Sequence, residues 1–130
     1  LFLHQGTEPV EEVTNLEDQA KLTQRYTDKA VDFIQRSKDK PFFLYLAHAM
    51  PHVPIAASPK FRGKTGFGLY ADTVAELDHS VGEVLAALKQ TKLDRKTVVV
   101  FTSDNGPWLP YGEHAGSSGG LREGKGTSFE

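Results

Sequence analysis

Two apolar runs rich in β-branched and aromatic residues constrain this chain most: Pro41-Phe42-Phe43-Leu44-Tyr45-Leu46-Ala47-His48 and Thr97-Val98-Val99-Val100-Phe101-Thr102-Ser103. Each has the length of a strand. Neither alternates with polar residues, which fits strands buried on both faces, as in parallel sheets. Pro41 can open its strand, since a first position need not donate to a ladder. Between the runs, Val74, Leu77, Val81, Val84, Leu85 and Leu88 recur at helical spacing from about Tyr70 to Gln90. Asp72, Glu76, Asp78 and Glu83 are expected to face largely outward, and Lys89 and Lys92 suit a helix C-terminus. Strand, helix, strand is a crossover unit; such units are almost always right-handed, and they make the two strands parallel. The expected fold class is therefore α/β, with helices packed on a mostly parallel sheet.

Upstream, Leu1 to Val13 alternates weakly around Gly6 and Pro9 and reads as an extended arm or edge strand with a turn. From Leu16 to Ser37, Leu22, Tyr26, Ala30, Phe33 and Ile34 mark an amphipathic helix, with Thr14 or Asn15 as its cap. After His48 the chain must leave its strand, and Pro51, Pro54, Pro59, Gly63, Gly66 and Gly68 break the connection too often for regular structure. A loop of that length is expected to be functional or mobile. The stretch after Asn105 contains Gly106, Gly112, Gly116, Gly119, Gly120, Gly124 and Gly126, more than half of the 12 glycines in the chain. It predicts a backbone bending closely around something. The division expected is an arm over 1–15, a helix-strand-helix-strand core over 16–105 and a glycine-rich loop over 106–130.

Composition removes several function classes. A net charge of −2 without a basic cluster lacks the electrostatic footprint of a nucleic-acid binder. The apolar runs fall well short of the roughly 18 to 20 residues a spanning helix needs, so no membrane role is expected. With no cysteine, disulfides and thiolate metal sites are excluded, and any metal here is expected to be bound through oxygen.

Chemistry concentrates at the ends of the two runs. Asp104-Asn105 directly follows Ser103, at a strand's C-terminal end, where open α/β sheets build their sites. Before Gly106-Pro107 the pair suits a turn, and equally it offers two of the 6 to 8 oxygens that Ca²⁺ takes. His52, between Pro51 and Pro54, is either a proton donor at a strand end or a histidine satisfied by backbone groups. Parallel strands would place it at the same sheet edge as Asp104 and Asn105. Lys125, between Gly124 and Gly126, can reach an anion or remain a solvated surface lysine. Gly119 to Lys125 has P-loop spacing, but Gly126 stands where Ser or Thr should hold Mg²⁺, so that motif is a decoy. His48 reads as a core residue or a support for the site, and no nucleophile with an adjacent base is evident.

Taken together, Pro41 to Ala47, His52-Val53-Pro54, Tyr70-Ala71-Asp72 with Glu76-Leu77-Asp78, Phe101 to Pro107 and Gly124 to Glu130 resemble the middle of a type I sulfatase, in order and spacing. The resemblance implies the alkaline-phosphatase-like superfamily, a three-layer sandwich whose members of this type cleave sulfate esters with Ca²⁺ and a formylglycine made from Cys or Ser. It implies Asp104 and Asn105 as Ca²⁺ ligands, Lys125 as the group holding the sulfate, and His52 as sulfate contact and acid for the leaving alcohol. The substrate implied is a sulfated small molecule or glycan, and the compartment periplasmic, secreted or lysosomal. The formylglycine motif, an aspartate pair completing the Ca²⁺ site and a second Lys/His group lie upstream of these residues in the family. The chain is thus expected to be an internal fragment, inactive alone, a weak Ca²⁺ binder and open to self-association. Alternatives are a phosphatase or phosphodiesterase of the same superfamily, and a non-catalytic sugar- or metal-binding module.

Overall fold

The computed structural model describes residues 1–128. The arm is an antiparallel hairpin of β1 (Phe2–Gln5) and β2 (Glu8–Glu12), turning at Gly6-Thr7, with an irregular register between Leu3 and His4. Val13 N donates to the Leu1 carbonyl at 2.6 Å and closes the open end. Asn15 then caps α1 (Leu16–Gln19), its Oδ1 accepting from Asp18 N at 2.9 Å, while the Asp18 carboxylate accepts from the Thr14 hydroxyl at 2.9 Å.

The helix expected over Leu16 to Ser37 is interrupted, and α2 starts afresh at Leu22, running to Ser37. Ala20 and Leu22 explain the break. Both are buried, yet two residues apart they would lie on nearly opposite sides of an unbroken helix. The tightened turn, with Lys21 N donating to the Asp18 carbonyl at 3.1 Å, lets both enter the core.

α2 packs against α3 (Leu69–Gln90). Ile34, Ala87 and Leu88 form the centre of the core, with Val31, Phe42, Leu44, Val84 and Leu93 around them. The outward placement expected for the acidic residues of α3 is wrong for two of them. Asp72 and Glu76 are buried, with Thr73 and Ser80, while Val74 and Leu85 are exposed. The reason lies in the long connection before α3. The Asp72 carboxylate accepts from Gly63 N at 2.7 Å, Thr65 N at 3.0 Å and the Thr65 hydroxyl at 2.7 Å. Glu76 Oε2 accepts from Ser58 N at 2.9 Å. Helical carboxylates thus satisfy loop amides that no ladder or helix would take. Arg62 adds a two-pronged ion pair to Glu17, at 3.0 and 3.2 Å, so the loop expected to be functional or mobile is stapled at several points.

The segments 41–48 and 97–103 are extended, but no ladder joins them; among the described residues the β1–β2 hairpin is the only sheet. The expected parallel pairing is therefore not formed, nor is burial on both faces. Phe42, Leu44 and Leu46 turn toward the helices, and the Phe42 ring meets Phe33 edge-on at 5.5 Å. Phe43 and Tyr45 face away at 87% and 79% exposure, and Val98 to Phe101 are exposed as well. The physical reason is that one layer of helices covers one face, and a strand exists only where a neighbour takes its backbone groups.

Candidate active site

Two glycines assemble the part of the site that follows the second extended segment. A side chain on Gly124 would run into the Pro107 carbonyl, and one on Gly106 would come within 3.1 Å of the Gly124 backbone. Only hydrogen at Gly124 allows this backbone approach, and a side chain at Gly106 would require the Gly124 backbone to give by a few tenths of an ångström. The contact is closed by Lys125 N donating to the Pro107 carbonyl at 3.0 Å, and Leu109 N donates to that same oxygen at 3.1 Å. The turn carrying Asp104 and Asn105 and the turn carrying Lys125, twenty residues apart, are thereby brought together. Thr127 fixes the second turn, its hydroxyl donating to the Gly124 carbonyl at 2.8 Å.

In the first turn the hydrogen bonds run through the neighbours: the Thr102 hydroxyl donates to the Ser103 carbonyl at 3.0 Å, and the Ser103 hydroxyl to the Asn105 carbonyl at 2.7 Å. The exposed Asp104 carboxylate and the half-buried Asn105 carboxamide stand outside these bonds. Their oxygens suit a hard cation in kind. In number they do not complete a site, since Ca²⁺ needs 6 to 8 donors, and no group of three or more His, Asp or Glu side chains converges among the described residues.

His52 lies on the exposed turn after the first extended segment, where its backbone N–H donates to the Ala49 carbonyl at 3.2 Å. Its Nδ1 sits 2.7 Å from the Val53 carbonyl. A carbonyl only accepts, so Nδ1 carries the hydrogen and Nε2 is left to exchange a proton with an outside group. The hydrogen bonds of His52 stay within its own loop. The shared sheet edge expected to unite it with Asp104 and Asn105 is missing along with the parallel pairing.

A buried polar chain that sequence reasoning did not find supports this loop. The Thr27 hydroxyl lies 2.7 Å from the Thr23 carbonyl and 2.6 Å from Ser80 Oγ, which is 3.0 Å from His48 Nε2. The terminal carbonyl fixes the direction: Thr27 donates to it, Ser80 donates to Thr27, and His48 Nε2–H donates to Ser80. Burial lowers the pKa of His48. The available signal was Thr23 and Thr27 falling on the helix face of Ala30 and Ile34. Beyond His48, Met50 is buried and its sulfur accepts from Ala56 N at 3.5 Å, and Gln19 Nε2 donates to the Pro54 carbonyl at 2.8 Å.

The geometry defines an α/β fragment in which the turn of Asp104 and Asn105 meets the turn of Lys125. A sequence profile of the sulfatase family matches residues 5–128. The chain is 44% identical over 115 residues to N-acetylgalactosamine-6-sulfatase of Mus musculus, covering 86% of this chain and 22% of that protein. It is 42% identical over 118 residues to steryl-sulfatase of Mus musculus, covering 87% and 19%. The crystal structure of PsFucS1 sulfatase from Pseudoalteromonas sp. superimposes with a TM-score of 0.88 at 32% identity, over 95% of this chain and 25% of that one. That of Ps i-CgsB in complex with k-i-k-neocarrahexaose gives a TM-score of 0.77 at 31% identity, over 100% and 29%. The chain belongs to the sulfatase family, and its α/β architecture is a portion of the alkaline-phosphatase-like fold of these neighbours. It spans about a fifth of the length of the curated relatives it matches.

Proposed function

We propose that this chain forms one wall of a sulfatase active site that hydrolyses sulfate esters. The observation that carries the reading is the Gly106–Gly124 approach, which joins the turn of Asp104 and Asn105 to the turn of Lys125 in a member of this family. In this reading Lys125 holds a sulfate oxygen by charge and hydrogen bonding. His52, kept in one orientation by the Nδ1–H bond to the Val53 carbonyl, acts in its imidazolium form, giving the second proton, on Nε2, to the departing alcohol oxygen and returning to the neutral ring. Asp104 and Asn105 serve as two of the ligands of a Ca²⁺ ion. When bound, Ca²⁺ offsets charge on the sulfate, and a formylglycine from outside these residues supplies the nucleophile. The 130 residues alone are proposed to be inactive and to bind Ca²⁺ weakly.

The relatives named for N-acetylgalactosamine 6-sulfate and steryl sulfate share the ester and differ in the alcohol. The proposed substrate is accordingly a sulfated small molecule or glycan, met in a periplasmic, secreted or lysosomal compartment. The test is release of 4-nitrophenol from its sulfate and from its phosphate by the full-length protein. Faster cleavage of the sulfate is expected. His52→Ala should lower kcat by about 10² to 10⁴, and Lys125→Ala by about 10² to 10³. A preference for the phosphate ester would move the assignment to phosphoryl transfer.

A further inference from the structure

The segment between the two halves of the candidate site carries a feature that sulfate chemistry does not use. Residues Leu109–His114 form two 3-10 turns separated by a kink at Gly112, and across the start of the first the rings of Trp108 and Tyr111 stack at 4.6 Å between centroids, tilted by 37°. They remain 43% and 46% exposed, so each offers ring surface to the outside. The position of the pair is fixed by the Pro107 carbonyl, which accepts from both Leu109 N and Lys125 N. One oxygen therefore ties the aromatic pair to the lysine proposed to hold the sulfate, and Trp108 is three residues beyond Asn105. Beyond the Gly112 kink, Glu113 and His114 join Phe67, Leu69 and Tyr70 in lining an open cleft of about 360 Å³. The Tyr70 hydroxyl leaves no room for a side chain at Gly116, which holds that wall against the loop.

An aryl or steroid alcohol gains most from an enclosed apolar pocket. Half-exposed rings, followed in the chain by a carboxylate and an imidazole on an open cleft, suit instead a ring with one C–H face and a rim of hydroxyls that stays wet. We propose that Trp108 and Tyr111 form the platform for the sugar ring bearing the sulfate, and that Glu113 and His114 meet hydroxyls of the same saccharide. This assignment rests on the sulfatase reading and names its substrate class as sulfated carbohydrate.

The experiment compares kcat/KM of the full-length protein on oligosaccharides cut from chondroitin sulfate and carrageenan with kcat/KM on 4-nitrophenyl sulfate, for wild type, Trp108→Ala, Trp108→Phe and Tyr111→Ala. The expected result is a saccharide-to-aryl ratio lowered roughly tenfold or more by Trp108→Ala and Tyr111→Ala and largely restored by Trp108→Phe, with circular dichroism confirming the fold. An unchanged ratio in both alanine variants, or wild-type cleavage of the aryl ester with no saccharide turned over, overturns the platform while leaving the sulfatase reading intact. Absence of sulfate release from every probe overturns that reading, and the platform with it.

Discussion

Gly124 and Asp72 show how single residues set the site and the loop around it. At Gly124 any side chain would occupy the place of the Pro107 carbonyl. Gly124→Ala is therefore expected to push the Lys125 turn away from Asp104-Asn105 and to lower sulfate release about a hundredfold in the full-length protein, as a displacement of about 1 Å can. Comparison of kcat with the melting temperature checks that the loss exceeds any effect of unfolding. Asp72 acts through charge. Hydrogen bonds from Thr65 N–H and hydroxyl, then from Gly63 N–H, hold its carboxyl below the usual carboxylate range. A lowered folded-state pKa makes the contribution complete above the ordinary value of about 3.9 and loses it as pH falls through the folded-state value. Wild type should melt higher than Asp72→Asn at pH 7, and thermal melts should show the gap closing below about pH 4. The sequence presented Gly124 beside Lys125 plainly. It hid the role of Asp72, because a carboxylate on a helix usually faces water and only the folded-back loop supplies donors for it.

At the scale of elements, α2 and α3 are joined by more than apolar contact. The Thr27–Ser80–His48 chain ties both helices to the segment leading into the His52 loop. Ser80→Ala would leave His48 Nε2–H without an acceptor and Thr27 without a donor in a buried setting, at a cost of about 1 to 3 kcal/mol. Chemical denaturation checks the loss of stability, and a Thr27→Val, Ser80→Ala double variant should lose less than the sum of the single changes because the groups belong to one chain. The apolar half of this packing was legible: Ala30, Ile34 and Leu88 fall on the stripes that helical spacing marks. The polar half was not, since Thr and Ser are scored as surface residues until a partner 53 positions away in sequence appears opposite them.

For the whole molecule, the outer face of the extended segments matters most. Phe43, Tyr45, Val98, Val100 and Phe101 lie exposed on segments whose backbone groups no ladder takes. Exposed apolar area of this kind, next to open strand edges, favours association. Sedimentation velocity of the 130-residue chain should show mass rising with concentration, and a Phe43→Lys, Tyr45→Lys variant should reduce it. No described helix is long and apolar enough to cross a membrane, so the exposed apolar area does not come from a spanning helix. By itself the sequence determined that helical stretches lie within 16–37 and 70–90, that apolar runs at 41–48 and 97–103 follow them, and which side chains are candidates for the chemistry. Those features follow from local periodicity, backbone preference and side-chain type, each complete within a few neighbouring residues. Only the tertiary structure decided that the two extended segments do not pair, that Asp72 and Glu76 turn inward, and that Asp104-Asn105 meets Lys125 across Gly106 and Gly124. Each of those depends on a donor, an acceptor or a space supplied by a residue distant along the chain or on another element.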